Sequence, residues 1–337
     1  MKKLFTIALT LCIPFTAAVA SENADTTKVK VKAEAKTTKF KGAPILRVFT
    51  NFQQGLFSAN EMSSFNLDRA ELGYGATFGD GFASKIAVDF GATKTVDGKT
   101  ERAIYLRNAE VSWEKKGFKV NMGLISLKQF STSENAWGYR YVAKSAQDAY
   151  KFGTSRDYGF TLAYKINDWV SVDATMVNGE GYKKAEFDNK FKYAIGATFK
   201  PVKGLTMRVY GDIYSKSDGL IDARNQQTLA LFAGYEHSAF SVGAEYDHMW
   251  NTKFNKGVSQ SIISVFGSAK LHKQVKIYAR YDNYSTKNNW GDDQEAYYLG
   301  VQYTPVKYVK ISPSFSYKKV RNQTAVPIVG LFLDIKF

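Results

Sequence analysis

The stretch VKIYARYDNY, residues 275–284, decides the fold. Val275, Ile277, Ala279 and Tyr281 fall on one face of an extended chain, with Lys276, Tyr278, Arg280 and Asp282 on the other. Successive side chains of a strand point to opposite sides, so this is a strand between two unlike solvents. The same rhythm runs through LTMRVYGDIY (205–214), FSVGAEYD (240–247) and VKISPSFSYK (309–318). The polar faces carry full charges, which a packed sandwich core would not accept. The apolar faces therefore form either a soluble core whose charges look out to water, or a surface turned to lipid.

Connections separate the two readings. Sixteen alternating segments run from residue 45 to residue 337. The links alternate between short turns, such as GDG, KKG, ND, HS and HKQ, and longer loops such as 53–63, 128–156 and 215–226. Short turns on one side and long loops on the other mark an outer-membrane barrel. The expected fold is all-β: a transmembrane antiparallel β-barrel of about sixteen strands. GLFLDIKF (330–337) then makes sense as a strand that pairs back with the first, its Leu331, Leu333, Ile335 and Phe337 facing lipid and Asp334 and Lys336 facing the lumen. TLALFAGYE (228–236) and SIISVFGSA (261–269) are apolar on both faces, which leaves their parity open and admits a subunit contact.

Composition agrees. Aromatic residues make up 15% of the chain, with 21 Tyr and 24 Phe against six Pro. Mean hydropathy is −0.30, because only alternate residues need be apolar. Residues 1–20 read as a signal peptide: Lys2 and Lys3, an apolar run, then Ala18-Val19-Ala20. Residues 21–43 read as a basic, poorly ordered lead-in, with the barrel from 44 to 337. The formal charge is +15. In an exported chain it points to anionic solutes and to lipid and lipopolysaccharide rather than to nucleic acid. The single cysteine, Cys12, leaves with the signal, so disulfides and thiolate metal sites are excluded from the mature chain.

The lumen wall is expected to carry both signs. Its basic residues include Arg69, Lys85, Arg208, Lys276, Arg280 and Lys310, and its acidic residues Glu71, Asp89, Glu110, Asp212, Glu245 and Asp282. Such charges either steer ions or pair along the wall. The 29-residue connector 128–156 is expected to fold inward as a constriction, because so long a link in an economical chain is usually functional. Lys128, Arg140, Lys144, Lys151 and Arg156 outnumber Glu134 and Asp148 there by three, which would draw anions. Catalysis has little support. His237 and His272 sit in short turns, and His248 points to the face opposite Asp247. No cofactor or metal is expected. The acidic GDDQE (291–295) reads as a solvated tip rather than a cation site.

DRAEL (68–72), RDYGF (156–160), MVNGEG (176–181) and ARYDNYS (279–285) resemble, in order, landmarks of the phosphate-selective porin O and P family. The resemblance covers most of residues 64–337 and rests on short motifs. It implies a sixteen-stranded homotrimer conducting small anions, and a C-terminal aromatic, Phe337, read by the outer-membrane assembly machinery. MGLISLKQF (122–130) departs from the family's Gly-Gln-Phe-Lys pattern. The implied role is passive diffusion of small hydrophilic solutes and ions with mild anion preference, phosphate being among the anions the resemblance implies. A plugged barrel acting as an adhesin or receptor through its loops is the alternative.

Overall fold

The computed structural model describes residues 40–56, 63–96, 99–217, 222–287 and 293–337, and the side chains among these except 92–101. The signal peptide and nearly all of the lead-in lie outside the described residues, as do the first two residues of GDDQE.

Sixteen strands are described. The first eight are β1 (Lys41–Gly55), β2 (Ser63–Gly79), β3 (Phe82–Val96), β4 (Lys99–Lys115), β5 (Phe118–Ser126), β6 (Arg156–Lys165), β7 (Val170–Val177) and β8 (Lys192–Phe199). The rest are β9 (Leu205–Tyr214), β10 (Gln226–Glu236), β11 (Phe240–Trp250), β12 (Ser259–His272), β13 (Val275–Lys287), β14 (Gln294–Val306), β15 (Val309–Val320) and β16 (Val326–Lys336). Each pairs antiparallel with its chain neighbours, and β1 closes on β16. Phe337 N–H donates to Leu46 O at 3.2 Å and Leu46 N–H returns the bond to Phe337 O at 3.1 Å. Closure leaves no row of unpaired backbone groups, which lipid could not satisfy.

The outer face is apolar. Ile195, Leu299 and Leu331 stand exposed on it, while their inward neighbours Ala194, Tyr298 and Phe332 are buried. A surface of this extent far exceeds the apolar patches that soluble monomers leave in water. Among the described residues no helix is long and apolar enough to cross a membrane, and the closed barrel is built of strands. They span 8 to 17 residues, around the roughly 9–11 that a tilted strand needs. The shorter turns follow local chemistry: Lys116 and Gly117 both take positive φ, 49° and 84°, matching the twist of the hairpin they join.

Two details differ from a strict two-residue reading. β1 begins at Lys41 rather than after residue 43, because Lys41–Ala43 pair with Thr77–Gly75 of β2 and complete that hairpin. Register shifts interrupt the β1–β2 ladder at Phe49/Thr50 and the β3–β4 ladder at Ala87/Val88. Each bulge turns an extra residue inward.

Candidate functional site

The β5–β6 connection carries two short helices, α1 (Ser131–Trp137) and α2 (Ala146–Ala149). Its side chains meet inward residues of the barrel wall. Trp137 sits edge-on to Phe266 of β12 and Tyr278 of β13, at 5.7 and 5.8 Å between ring centroids. Tyr139 stacks on Tyr278 at 4.0 Å. The Tyr278 ring fits because position 300 is glycine: a Cβ there would lie 2.3 Å from the Tyr278 hydroxyl. Trp137, Tyr139 and Tyr141 are all buried, with Phe49, Phe232, Phe266, Tyr298 and Phe332 completing the cluster. Each such ring buries about 1.5–3 kcal/mol of apolar surface, and ring pairs add about 0.5–1.5 kcal/mol.

Hydrogen bonds fix the orientation. Trp137 Nε1 donates to Ala143 O at 3.0 Å. The Tyr141 hydroxyl lies 2.6 Å from Ser312 Oγ of β15 and donates to Gln302 Oε1 of β14 at 3.3 Å. Burial pushes the pKa values of Tyr139 and Tyr141 up, so both remain neutral at physiological pH. Arg280 Nη1 donates to Lys144 O at 2.6 Å while its other nitrogens grip Asp282 at 2.6 and 2.7 Å. At the far end Gln129 Nε2 donates to Phe152 O at 2.8 Å, and Lys192 Nζ donates to Gln129 Oε1 at 3.0 Å.

The wall of β2–β4 is built differently. Arg107 lies 2.9 Å from Asp89 and 3.2 Å from Glu71, and Arg69 lies 3.4 Å from Asp89. Arg208 of β9 holds Asp173 of β7 with two bonds of 2.8 and 2.9 Å. Lys192 and Asp212 pair at 2.7 Å. Planar guanidinium groups suit such paired carboxylate contacts.

The five basic residues of the connector occupy unlike positions. Arg140 is tied to Glu134 at 2.8 Å and Asp148 at 2.7 Å, within the connector itself. Lys128 lies 4.0 Å from Asp173; burial lowers its pKa and Asp173 opposes that shift. Arg156 donates to Asn108 Oδ1 at 2.9 Å. Lys144 and Lys151 are exposed. Arg140 and Lys144 line one cavity together; Lys128, Lys151 and Arg156 do not border it.

Of the wall residues, Arg69, Arg208, Arg280, Glu71, Asp89, Asp212, Glu245 and Asp282 are buried on the inner face. Lys85 and Glu110 are cross-strand partners on β3 and β4, while Lys276 and Lys310 border a second cavity. Strict alternation missed Arg107, because the β3–β4 bulge turns both Arg107 and Asn108 inward, at 3% and 0% exposure. The signal was present as two adjacent polar residues in a strand, one of which would otherwise face lipid.

The two cavities lie on opposite sides of the connector. One, toward the long loops, is bordered by Asp68, Arg69, Arg140, Tyr141, Lys144, Asp148, Lys183 and Lys318. The other, toward the short turns, is bordered by Trp137, Tyr139, Lys200, Glu236, Lys276, Gln302 and Lys310. His248 lies 2.7 Å from Ser261 and edge-on to Trp250 at 4.3 Å, whereas Asp247 is wholly buried on the inner face. Asp293 of the GDDQE segment accepts the Thr286 amide at 2.8 Å and pairs with Arg321 at 3.4 Å. Glu180, Glu186 and Asp188 in the β7–β8 connection bring carboxylate oxygens within 4.8 Å of one another, a grouping the sequence did not suggest.

No family model and no curated protein matches the chain. Solved barrels do. OmpF of Salmonella typhi, in complex with daunomycin, superposes with a TM-score of 0.70 at 10% identity, covering 89% of this chain and 98% of that one. An anion-selective porin from Comamonas acidovorans gives 0.66 at 12% identity, covering 89% and 100%. OmpT of Vibrio cholerae, in a trimer form, gives 0.58 at 14% identity, covering 88% and 99%. The fold is that of the Gram-negative outer-membrane porin barrels.

Proposed function

We propose that this chain is an outer-membrane porin, a water-filled channel for passive diffusion of small hydrophilic solutes and ions with mild anion preference. One observation carries the reading: the barrel encloses two polar cavities, each with more cations than carboxylates on its border, separated by a connector that packs against the wall. A wet lumen spares a solute the cost of losing its hydration, and fixed charges bias which ions enter. No chemical step is involved. Phosphate is a candidate among the anions, through the motif resemblance. The homotrimer, contacts with lipopolysaccharide and recognition of Phe337 by the assembly machinery belong to the same proposal.

The test is planar-bilayer recording of the purified, folded protein under a potassium chloride gradient. Stepwise conductance with a reversal potential displaced toward that of chloride is expected. Absence of steps from protein shown to be folded and inserted would overturn the channel and leave a plugged barrel with an adhesive or receptor role.

A further inference from the structure

The arginines and lysines of the lumen occupy different chemical situations. Arg69, Arg107, Arg208 and Arg280 are 3–7% exposed, and each has a carboxylate oxygen within 3.4 Å. Arg140, in the connector, is held by two carboxylates. A one-to-one ion pair at such separation presents a dipole to a passing ion, and its field falls off far faster than that of a lone charge; Arg140 between its two carboxylates forms a cluster of net negative charge.

The lysines are the reverse. Lys144, Lys183 and Lys318 border the long-loop cavity and Lys200, Lys276 and Lys310 the short-turn cavity. All except Lys310 are exposed, and among the described residues they have no carboxylate within the 4.0 Å of an ion pair. Lys310 lies 3.7 Å from Asp334, which Arg47 shares at 3.5 Å. Among the described residues, the bordering carboxylates without an ion pair are Asp68, which accepts from Asn51 at 2.6 Å, and Glu236. Among the described residues that border them, positive charge therefore exceeds negative in both cavities.

The short-turn side holds a further clue: Lys270 and Lys276 are direct cross-strand partners. Like charges placed opposite each other weaken a sheet, so this pairing contributes nothing to the wall. It does add to the field of the mouth.

We propose that the cavity lysines, and not the paired arginines of the wall and connector, set the sign of ion selection. The inference rests on the channel reading above and names the residues that give that channel its preference. Arginine, planar and able to grip a carboxylate with two bonds, holds the connector and wall in place. Lysine, a compact hydrated charge on a flexible stem, stays in the water that solutes cross. Low-dielectric walls around that water concentrate the lysine field. Screening over about 8–10 Å at physiological salt makes the preference mild and weaker in concentrated electrolyte.

The experiment compares reversal potentials of single channels in a potassium chloride gradient. Two variants neutralise the lysine sets: Lys144→Gln/Lys183→Gln/Lys318→Gln and Lys200→Gln/Lys276→Gln/Lys310→Gln. A third, Arg140→Gln/Asp148→Asn, removes one arginine–carboxylate pair without changing net charge. Each lysine variant is expected to lower the chloride-to-potassium permeability ratio by roughly twofold or more. The matching Lys→Arg sets should keep it. The arginine-pair variant should hold the wild-type reversal potential even where its conductance changes. Lysine variants with the wild-type reversal potential, or an arginine-pair variant that moves it as far as they do, would overturn the assignment. A wild-type channel that conducts without anion bias would overturn it too and leave the channel standing. A wild-type protein that is inserted and silent would take down the channel reading itself.

Discussion

The two walls of the lumen solve the same problem in opposite ways. On β12–β15 the inner face meets the connector through rings: Trp137 against Phe266 and Tyr278, Tyr139 stacked on Tyr278, and Tyr141 bonded to Ser312. On β2–β4 the inner face meets itself through charges: Arg107 between Glu71 and Asp89, with Arg69 beside Asp89. The first wall excludes water and gains from burial. The second keeps buried charges by pairing them, which is neutral to costly as stabilisation. The aromatic wall therefore supplies adhesion for the connector, while the ionic wall ties its own neighbouring strands together through charges.

Arg107→Ala is the strongest way to break this comparison. It would strand Glu71, which is 5% exposed, and leave Asp89 with Arg69 alone at 3.4 Å, at a cost of roughly 3–5 kcal/mol. A marked fall in the thermal unfolding midpoint in detergent is expected. Combining it with Glu71→Gln and Asp89→Asn should recover most of that loss. If the single variant unfolds like the parent, the ionic wall is not held by its pairs.

Trp137→Ala acts on the other wall. It removes the ring at the centre of the aromatic cluster and the bond to Ala143 O, weakening the docking of the connector by about 3–4 kcal/mol. The barrel should still fold, as its strands do not depend on that ring, but single-channel conductance should rise and become noisy. Quiet channels of parental conductance would show that the aromatic contacts do not hold the connector.

Ser312→Ala sharpens the comparison with a smaller change. It removes the hydroxyl beside Tyr141, worth about 1 kcal/mol, and leaves the rings in contact. Current noise should increase modestly with little change in mean conductance. An effect as large as that of Trp137→Ala would move the anchor from the rings to the hydroxyl.

The sequence already contained the barrel. The period of two and the alternation of short and long connections gave about sixteen strands, and sixteen are seen. Lipid on one face and water on the other penalise a one-residue slip along a whole strand, so the pattern is strongly imposed. The interior was harder to read. Phe232 and Phe266 made two strands look apolar on both faces, and the ambiguity had a cause: their inner faces pack with the connector. Arg107 and Asn108 broke the alternation because a bulge turns both inward.

What the sequence determined by itself was thus the strand set, the sidedness of most strands and the presence of both signs of charge on the lumen face. Those depend on residue type and spacing alone. The tertiary structure decided which cations are free. Arg107 meets Glu71 and Asp89, and Arg208 meets Asp173, across neighbouring strands. Arg140 meets Glu134 and Asp148 only once its own loop has folded. Lys276 and Lys318 remain exposed, and among the described residues neither meets a carboxylate. Pairing depends on contacts a few ångströms wide between segments far apart in the chain, and residue spacing carries no record of such distances.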